Sequence, residues 1–210
     1  MSDPGLCFDA ALRERLRANL AAFEREAVAG AGLRRAAVAV ALVADDAGHA
    51  CFVLTRRAPR LRSHGGQWAL PGGRVDAGES AEAAALRELA EEVGLELPAT
   101  SVLGLLDDYA TRSGYAITPV VVWAETKAEL RPNPMEVAAA YRVALRELER
   151  PDVPRVRRIP ESDRPVISVP LLGAHIHAPT GAFLYQLREV GVWGRSMRVS
   201  HFDQPVFAWR

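Results

Sequence analysis

A chain of 210 residues can bury a substantial core, as one large domain or as one domain with extensions. Its 49% hydrophobic and 25% charged residues are the proportions of an ordinary globular protein. Lys+Arg and Asp+Glu both number 26, which excludes a global field drawing the molecule to nucleic acid or to an anionic membrane. Lys127 is the only lysine, and every other basic side chain is the arginine that suits bidentate phosphate contacts. Cys7 and Cys51 stand far apart and in no metal-binding spacing, so reduced thiols and a cytoplasmic location are expected. The longest apolar run, Ala36 to Ala44, is too short for a bilayer, and the N-terminus lacks the basic, apolar and small-residue succession of a secretory signal.

Asp9 to Val28 places Leu12, Leu16, Leu20 and Phe23 at helical spacing, which predicts an amphipathic helix packed on the main domain and ended at Gly30 to Gly32. Ala36 to Val43 and Cys51 to Thr55 read as strands joined by the turn residues Asp45, Asp46, Ala47 and Gly48. A polar, basic loop from Arg56 to Leu70 leads into Pro71-Gly72-Gly73. Past a helix over the following carboxylate-rich stretch, Val102 to Leu106, Tyr115 to Trp123, Val137 to Leu145 and Val166 to Leu172 read as strands. Arg131-Pro132-Asn133-Pro134 is a rigid turn. Arg150 to Pro165, with four prolines and many charges, reads as a mobile surface loop. Thr180 to Val190 predicts a helix, and from Gly191 onward little can be assigned. The mixture of strands and helices suggests a three-layer α/β/α arrangement.

The chemistry concentrates in Gly73 to Leu95. At about 100° per residue, Leu86, Leu89, Ala90 and Val93 form one apolar stripe, while Glu88, Glu91 and Glu92 all face away from it. Like charges three and four residues apart repel unless something positive sits among them, and a divalent cation with oxygen ligands and substrate phosphates answers that need. Ser80 can cap this helix and Gly94 can end it. A lone run of this kind is usually a solvated acidic face; here Gly72, Gly73, Gly78 and Gly94 bracket it, where backbone must take positive φ or approach a ligand closely.

Gly73, Glu79, Arg87, Glu88, Leu89, Glu91, Glu92, Gly94 and Leu95 resemble the Nudix box at every fixed position across these 23 residues. The resemblance implies a Nudix fold, an α/β/α sandwich with a mixed β-sheet, and metal-dependent hydrolysis of a nucleoside diphosphate derivative with Mg²⁺ or Mn²⁺. It implies that Glu91, Glu92 and the Gly72 carbonyl hold metal, and that Glu88 activates water or shares the metal. Glu79 and Arg87 would then support the carboxylates, with Gly73 at the substrate. Glu136 is the candidate for a further metal carboxylate from outside the box, and Asp107 and Asp108 are weaker ones.

Upstream, Val53-Leu54-Thr55-Arg56-Arg57-Ala58, Arg62, Gly66 and Leu70-Pro71-Gly72-Gly73 are similar to the signature preceding the box in coenzyme A diphosphatases, with Val53, Ala58 and Leu70 replacing Leu, Ser and Phe. Thr111, Gly114, Tyr115, Thr118-Pro119-Val120, Pro132-Asn133-Pro134, Glu136-Val137 and Ile176 to Leu184 extend the likeness, which covers about Ala36 to Val190. It implies coenzyme A or acyl-coenzyme A as substrate, cut to 3′,5′-ADP and 4′-phosphopantetheine, with Gly66 contacting it and Arg57 and Arg62 able to hold its 3′-phosphate or its diphosphate by charge-assisted bonds. The alternatives are a pyrophosphatase for ADP-ribose, NADH or dinucleoside polyphosphates, and a module that senses a nucleotide without cutting it. A small-molecule nucleotide is the expected partner, without nucleic acid or membrane; a homodimer is left open. The expected organisation is a helical extension over 1–35, the Nudix domain over 36–190 and a segment of unassigned role over 191–210. The five histidines are read as structural, His64 excepted because it sits in the substrate-side loop.

Overall fold

A computed structural model describes residues 6–28, 32–60, 65–124 and 129–209. Gly30, Arg62 and His64 lie outside the described residues. The chain forms helix α1 (Ala10–Ala22) and strands β1 (Arg34–Ala44), β2 (Ala50–Arg57), β3 (Trp68–Ala69) and β4 (Gly72–Arg74). Helix α2 (Ala81–Val93) follows, then β5 (Val102–Leu105), β6 (Tyr109–Ala110), β7 (Tyr115–Trp123) and β8 (Val137–Ala144). Strands β9 (Arg155–Ile159), β10 (Ser162–Leu171) and β11 (Ala174–His177) and helix α3 (Thr180–Gln186) complete the order.

The main sheet runs β3-β2-β1-β7-β5, with β4 on β1, β6 on β7 and β8 on β2. Strand β1 runs parallel to β7 and antiparallel to β2 and β4, so the sheet is mixed. Period-two alternation sorts β1 between two cores. Ala37, Ala39, Ala41 and Val43 face α2, whose inner side is Ala81, Ala84, Ala85, Leu89 and Val93. Val40 and Leu42 face the larger residues of α1 and α3, Leu12, Leu16, Leu20, Phe183 and Leu184 among them. The outcome is α/β/α layering, with α2 held close to the sheet by small side chains on both surfaces. Among the described residues, no helix is long and apolar enough to cross a membrane.

Helix α1 starts where Asp9 accepts from the Leu12 N–H at 2.8 Å, and buries Leu12, Leu16 and Leu20. It stops at Ala22 rather than continuing to Val28. The next segment is extended because its N–H groups find carboxylates instead of helical carbonyls: Glu26 donates to Asp107 at 2.7 Å and Val28 to Asp108 at 3.0 Å. The expected loop over Arg150 to Pro165 is likewise replaced, by β9 and the start of β10. Strand β9 is an edge strand whose first four residues are exposed, so its side chains carry no burial pattern, and its structure comes from the backbone pairing Arg157↔Val166 and Val156↔Ile167. The helix after Thr180 keeps α-helical turns to Gln186 and then widens over Leu187 to Val192, where the Trp193 N–H donates to the Arg188 carbonyl five residues back.

Candidate functional site

Helix α2 is fixed at both ends. The Ser80 hydroxyl accepts from the Ala83 N–H at 3.1 Å, and Gly94 closes the helix at φ 68°, a left-handed geometry that glycine takes freely. Its C-terminal half leans on β4, where Gly72 pairs with Val38 and Gly73 with Ala37. Neither glycine has space for a side chain. A Cβ on Gly72 would press into the Ala37 carbonyl and Val38, and one on Gly73 would overlap the Glu88 carboxylate.

The three box carboxylates therefore differ in setting, and the expectation that all of them face away from the core needs correcting. Glu92 is only 2% exposed, and its Oε2 accepts from the Gly72 N–H at 3.3 Å. Glu88 is half-buried against Gly73, and Glu91 alone of the three is exposed. An angular reading assumes one buried side; α2 has the sheet on one side and β4 on the next. Burial pushes the Glu92 carboxyl up to about 7, opposed by the Arg57 charge and reinforced by Glu88. Burial also raises Glu88, against the hydrogen bond from Arg87. The charge of Glu136 pushes both upward, which places Glu136 within electrostatic reach of the pair.

Arg87 gathers the cluster. Its Nη1 donates to Glu88 at 2.8 Å and to Glu91 at 3.2 Å, its Nε and Nη2 donate to Glu79 at 3.1 and 3.2 Å, and Nη2 also reaches the Arg74 carbonyl at 3.0 Å. Those hydrogen bonds hold Glu79 below the usual carboxylate range and raise Arg87. Arg57 lies 3.6 Å from Glu92, while its own Nε is buried without a partner. Gly66 takes φ +74° in the turn that follows β2, donating to the Arg57 carbonyl at 3.1 Å. Arg62 falls outside the described residues. Among the described residues no three acidic, histidine or cysteine side chains converge as a ready-made metal cage, and arginines occupy the spaces between the carboxylates. The donors are nonetheless carboxylate and carbonyl oxygen throughout, with the buried Glu92 and the half-buried Glu88 crowded together, a set that fits a hard divalent cation.

Asp107 and Asp108 are employed elsewhere. Asp107 accepts from Arg198 at 2.8 Å and Gln186 at 2.7 Å, and Asp108 accepts from Arg25 and Thr118. Both are buried in a clamp between the N-terminal segment and the region after α3, so neither is the extra carboxylate.

Gly72 and Gly73 also form part of the wall of a cavity of about 850 Å³. Arg34, Arg57 and Arg74 line it, and no Asp or Glu does among the described residues. Trp68, Tyr115, Phe207 and Trp209 give it aromatic surface, and His175 and His177 stand along it. His177 is held toward its neutral form by burial and by the charges of Arg157 and His175, and its Nδ1 is buried without a partner. His175 and His177, read as structural, line this cavity, and the region beyond Gly191, left unassigned, contributes Phe207 and Trp209 to it. The aromatic-rich end of the chain was the only available signal.

The sequence matches the NUDIX domain over residues 33–162. The uncharacterized Nudix hydrolase NudL of Yersinia pestis (strain Pestoides F) is 38% identical over 115 residues, 54% of this chain and 57% of that protein, and NudL of Yersinia pseudotuberculosis serotype O:1b matches equally. The chain thus spans little more than half the length of these relatives. Among solved structures, the Nudix hydrolase RenU of M. smegmatis shares 29% identity, covering 56% of this chain and 74% of that one, with a TM-score of 0.43. A MutT/nudix family protein from Enterococcus faecalis shares 18%, covering 72% and 57%, with a TM-score of 0.47.

Proposed function

The chain belongs to the Nudix family, and from that premise we propose that it is a hydrolase of the diphosphate in nucleoside diphosphate derivatives, coenzyme A and acyl-coenzyme A first among them. The products are then 3′,5′-ADP and the (acyl-)4′-phosphopantetheine. The observation that carries this reading is the convergence of Glu88 and Glu92 on the Gly72–Gly73 strand, at the wall of a cavity lined by arginine and aromatic side chains. The likeness of the stretch before the box to the coenzyme A diphosphatase signature, which keeps its spacing while Val53, Ala58 and Leu70 depart from it, supports coenzyme A as the substrate class.

In this reading Glu88, Glu91, Glu92 and the Gly72 carbonyl hold Mg²⁺ or Mn²⁺, with Glu136 as a further carboxylate. A divalent ion there supplies positive charge to the diphosphate and lowers the pKa of bound water. The remaining work belongs to the chain. Glu88, raised by burial, takes the proton of the attacking water; because the carboxylates titrate together, that proton belongs to the group. Arg87 fixes the rotamers of Glu88 and Glu91 and is itself fixed by Glu79. Arg57 binds the diphosphate oxygens by charge-assisted hydrogen bonds, and the buried, unpartnered Nε leaves it capacity to do so. The catalytic unit is residues 36–190; 1–35 supports it through α1 and supplies Arg34, at the start of β1, to the cavity, and 191–210 supplies Phe207 and Trp209.

A screen of the purified protein with Mg²⁺ or Mn²⁺ against coenzyme A, ADP-ribose, NADH and diadenosine polyphosphates tests the reading. Release of 3′,5′-ADP from coenzyme A is expected. Hydrolysis of ADP-ribose or a dinucleotide without attack on coenzyme A overturns the substrate and keeps the reaction. Glu92→Gln addresses a sensing module: an enzyme loses nearly all turnover, whereas a sensor changes only in affinity.

A further inference from the structure

Resting on that diphosphate reading, we infer that Arg34, Tyr115 and Arg74 form a second anion site, which receives a phosphate monoester carried by the substrate in addition to its diphosphate. The three side chains come together through the register of the sheet. Arg34 stands opposite Tyr115 in the parallel β1–β7 pair, and Arg74 stands opposite Ala36 on the other side of β1. The Arg34 guanidinium lies 4.0 Å above the Tyr115 ring centroid, held by donation to the Ser113 carbonyl at 2.9 Å. Arg74 Nε donates to the Tyr115 hydroxyl at 3.2 Å. One phenol thus carries a cation on its face and another at its hydroxyl, and both line the cavity.

Charge is what makes this a site. Among the described residues no carboxylate pairs with Arg34 or Arg74, and no Asp or Glu lines the cavity beside them. Several other arginines meet a carboxylate, Arg57 with Glu92, Arg87 with Glu79 and Glu88, Arg112 with Asp203 and Arg188 with Glu189, whereas Arg34 and Arg74 share one tyrosine ring. Two guanidinium groups converging on one ring without an anion repel each other, and a dianion between them removes that repulsion while accepting from both forks. Mere surface solvation would not need the tyrosine to orient both.

Position supplies the specificity. Arg74 directly follows Gly73, and its carbonyl accepts from Arg87 at 3.0 Å, so the pair is tied by backbone to the carboxylate cluster. Arg57, by contrast, is turned to Glu92 and serves the diphosphate end. A ligand with its diphosphate at Gly72–Gly73 and a further phosphate nearby, as on a ribose hydroxyl, can engage both groups at once. The class selected is a nucleoside diphosphate derivative bearing an extra phosphate monoester.

The test compares ligands that differ only in that phosphate. For the wild type, Arg34→Gln and Arg74→Gln, kcat/KM is measured on coenzyme A and on 3′-dephospho-coenzyme A. The ratio between the two substrates is expected to fall at least about tenfold in each variant; an unchanged ratio overturns the inference. Calorimetric titration of the metal-free protein with 5′-AMP, 3′,5′-ADP and 2′,5′-ADP gives a readout independent of turnover. Tighter binding of either bisphosphate than of 5′-AMP, lost in both variants, supports the site and identifies the ribose position. Equal binding of all three nucleotides, or a preference that survives both substitutions, overturns it. If the wild type cuts neither coenzyme A nor its dephospho form, the proposed substrate fails on that count, and the titrations still decide the anion site. Both side chains are exposed, and a thermal melt of each variant checks that it is folded before it is assayed.

Discussion

The carboxylate of Glu88 occupies the space that a side chain on Gly73 would need. At Gly72, one residue earlier, the same space is taken by the Ala37 carbonyl and Val38. Alanine at the two positions therefore has opposite consequences. Gly73→Ala displaces only the end of a flexible side chain, so stability falls by about 1 kcal/mol or less while kcat falls at least about a hundredfold. Gly72→Ala meets backbone that cannot retreat and costs about 2 kcal/mol or more. Thermal melts and steady-state assays on the two proteins distinguish these outcomes.

Among the described residues, Arg87 is the side chain bonded to Glu79, Glu88 and Glu91 together. Arg87→Ala is expected to weaken metal binding by about 10- to 100-fold and to lower turnover at saturating metal as well. Arg87→Lys recovers little, because an ammonium group cannot span three carboxylates from a planar fork. Mn²⁺ titration followed by paramagnetic relaxation measures the first effect directly.

Asp203 is fully buried and accepts from Ser162 at 2.7 Å and from the Gln204 N–H at 2.8 Å, with Arg112 and Arg164 beside it. Those partners outweigh burial and hold its carboxyl well below the usual carboxylate range. A depressed folded-state pKa means that the unfolded chain binds the proton first, so the stabilisation is complete above the unfolded pKa of about 3.9 and is lost as pH falls toward the folded one. Asp203→Asn should cost about 3 kcal/mol near neutral pH and flatten the acid limb of the stability curve. Urea unfolding between neutral pH and the acid limb, followed by tryptophan fluorescence, checks both slope and offset.

Leu16 is fully buried in α1, with its Cδ2 set against Gly191 beyond α3. Leu16→Ala should destabilise the whole domain by about 3 kcal/mol in a single transition. Two transitions, or no change, would mean that the N-terminal helix folds apart from the sheet.

Local signals explain what could be read from the residues in order. Ser80 and Gly94 mark the ends of α2, and apolar runs bounded by turn residues mark β1 and β7, because caps and local patterning act within a few residues. The inward turn of Glu92 depends on β4 lying across the helix, which no helical wheel contains. Strand β9 exists through its partner rather than its own side chains, and Asp107 and Asp108 look like any surface acid pair until Arg198 and Arg25 arrive from opposite ends of the chain. The alignment of Arg34, Tyr115 and Arg74 is a property of sheet register, so residues separated by the whole box become neighbours without any motif to announce them.

The methyl groups of Ala37, Ala39 and Ala41 act as a shim of fixed thickness under α2. They carry no charge and no hydrogen-bonding group, yet they set how deeply Glu88 and Glu92 seat against the neighbouring strand. Thickening the shim by even one branched residue would lift the carboxylates off their glycines, which makes the plainest side chains in the molecule a tuning layer for its chemistry.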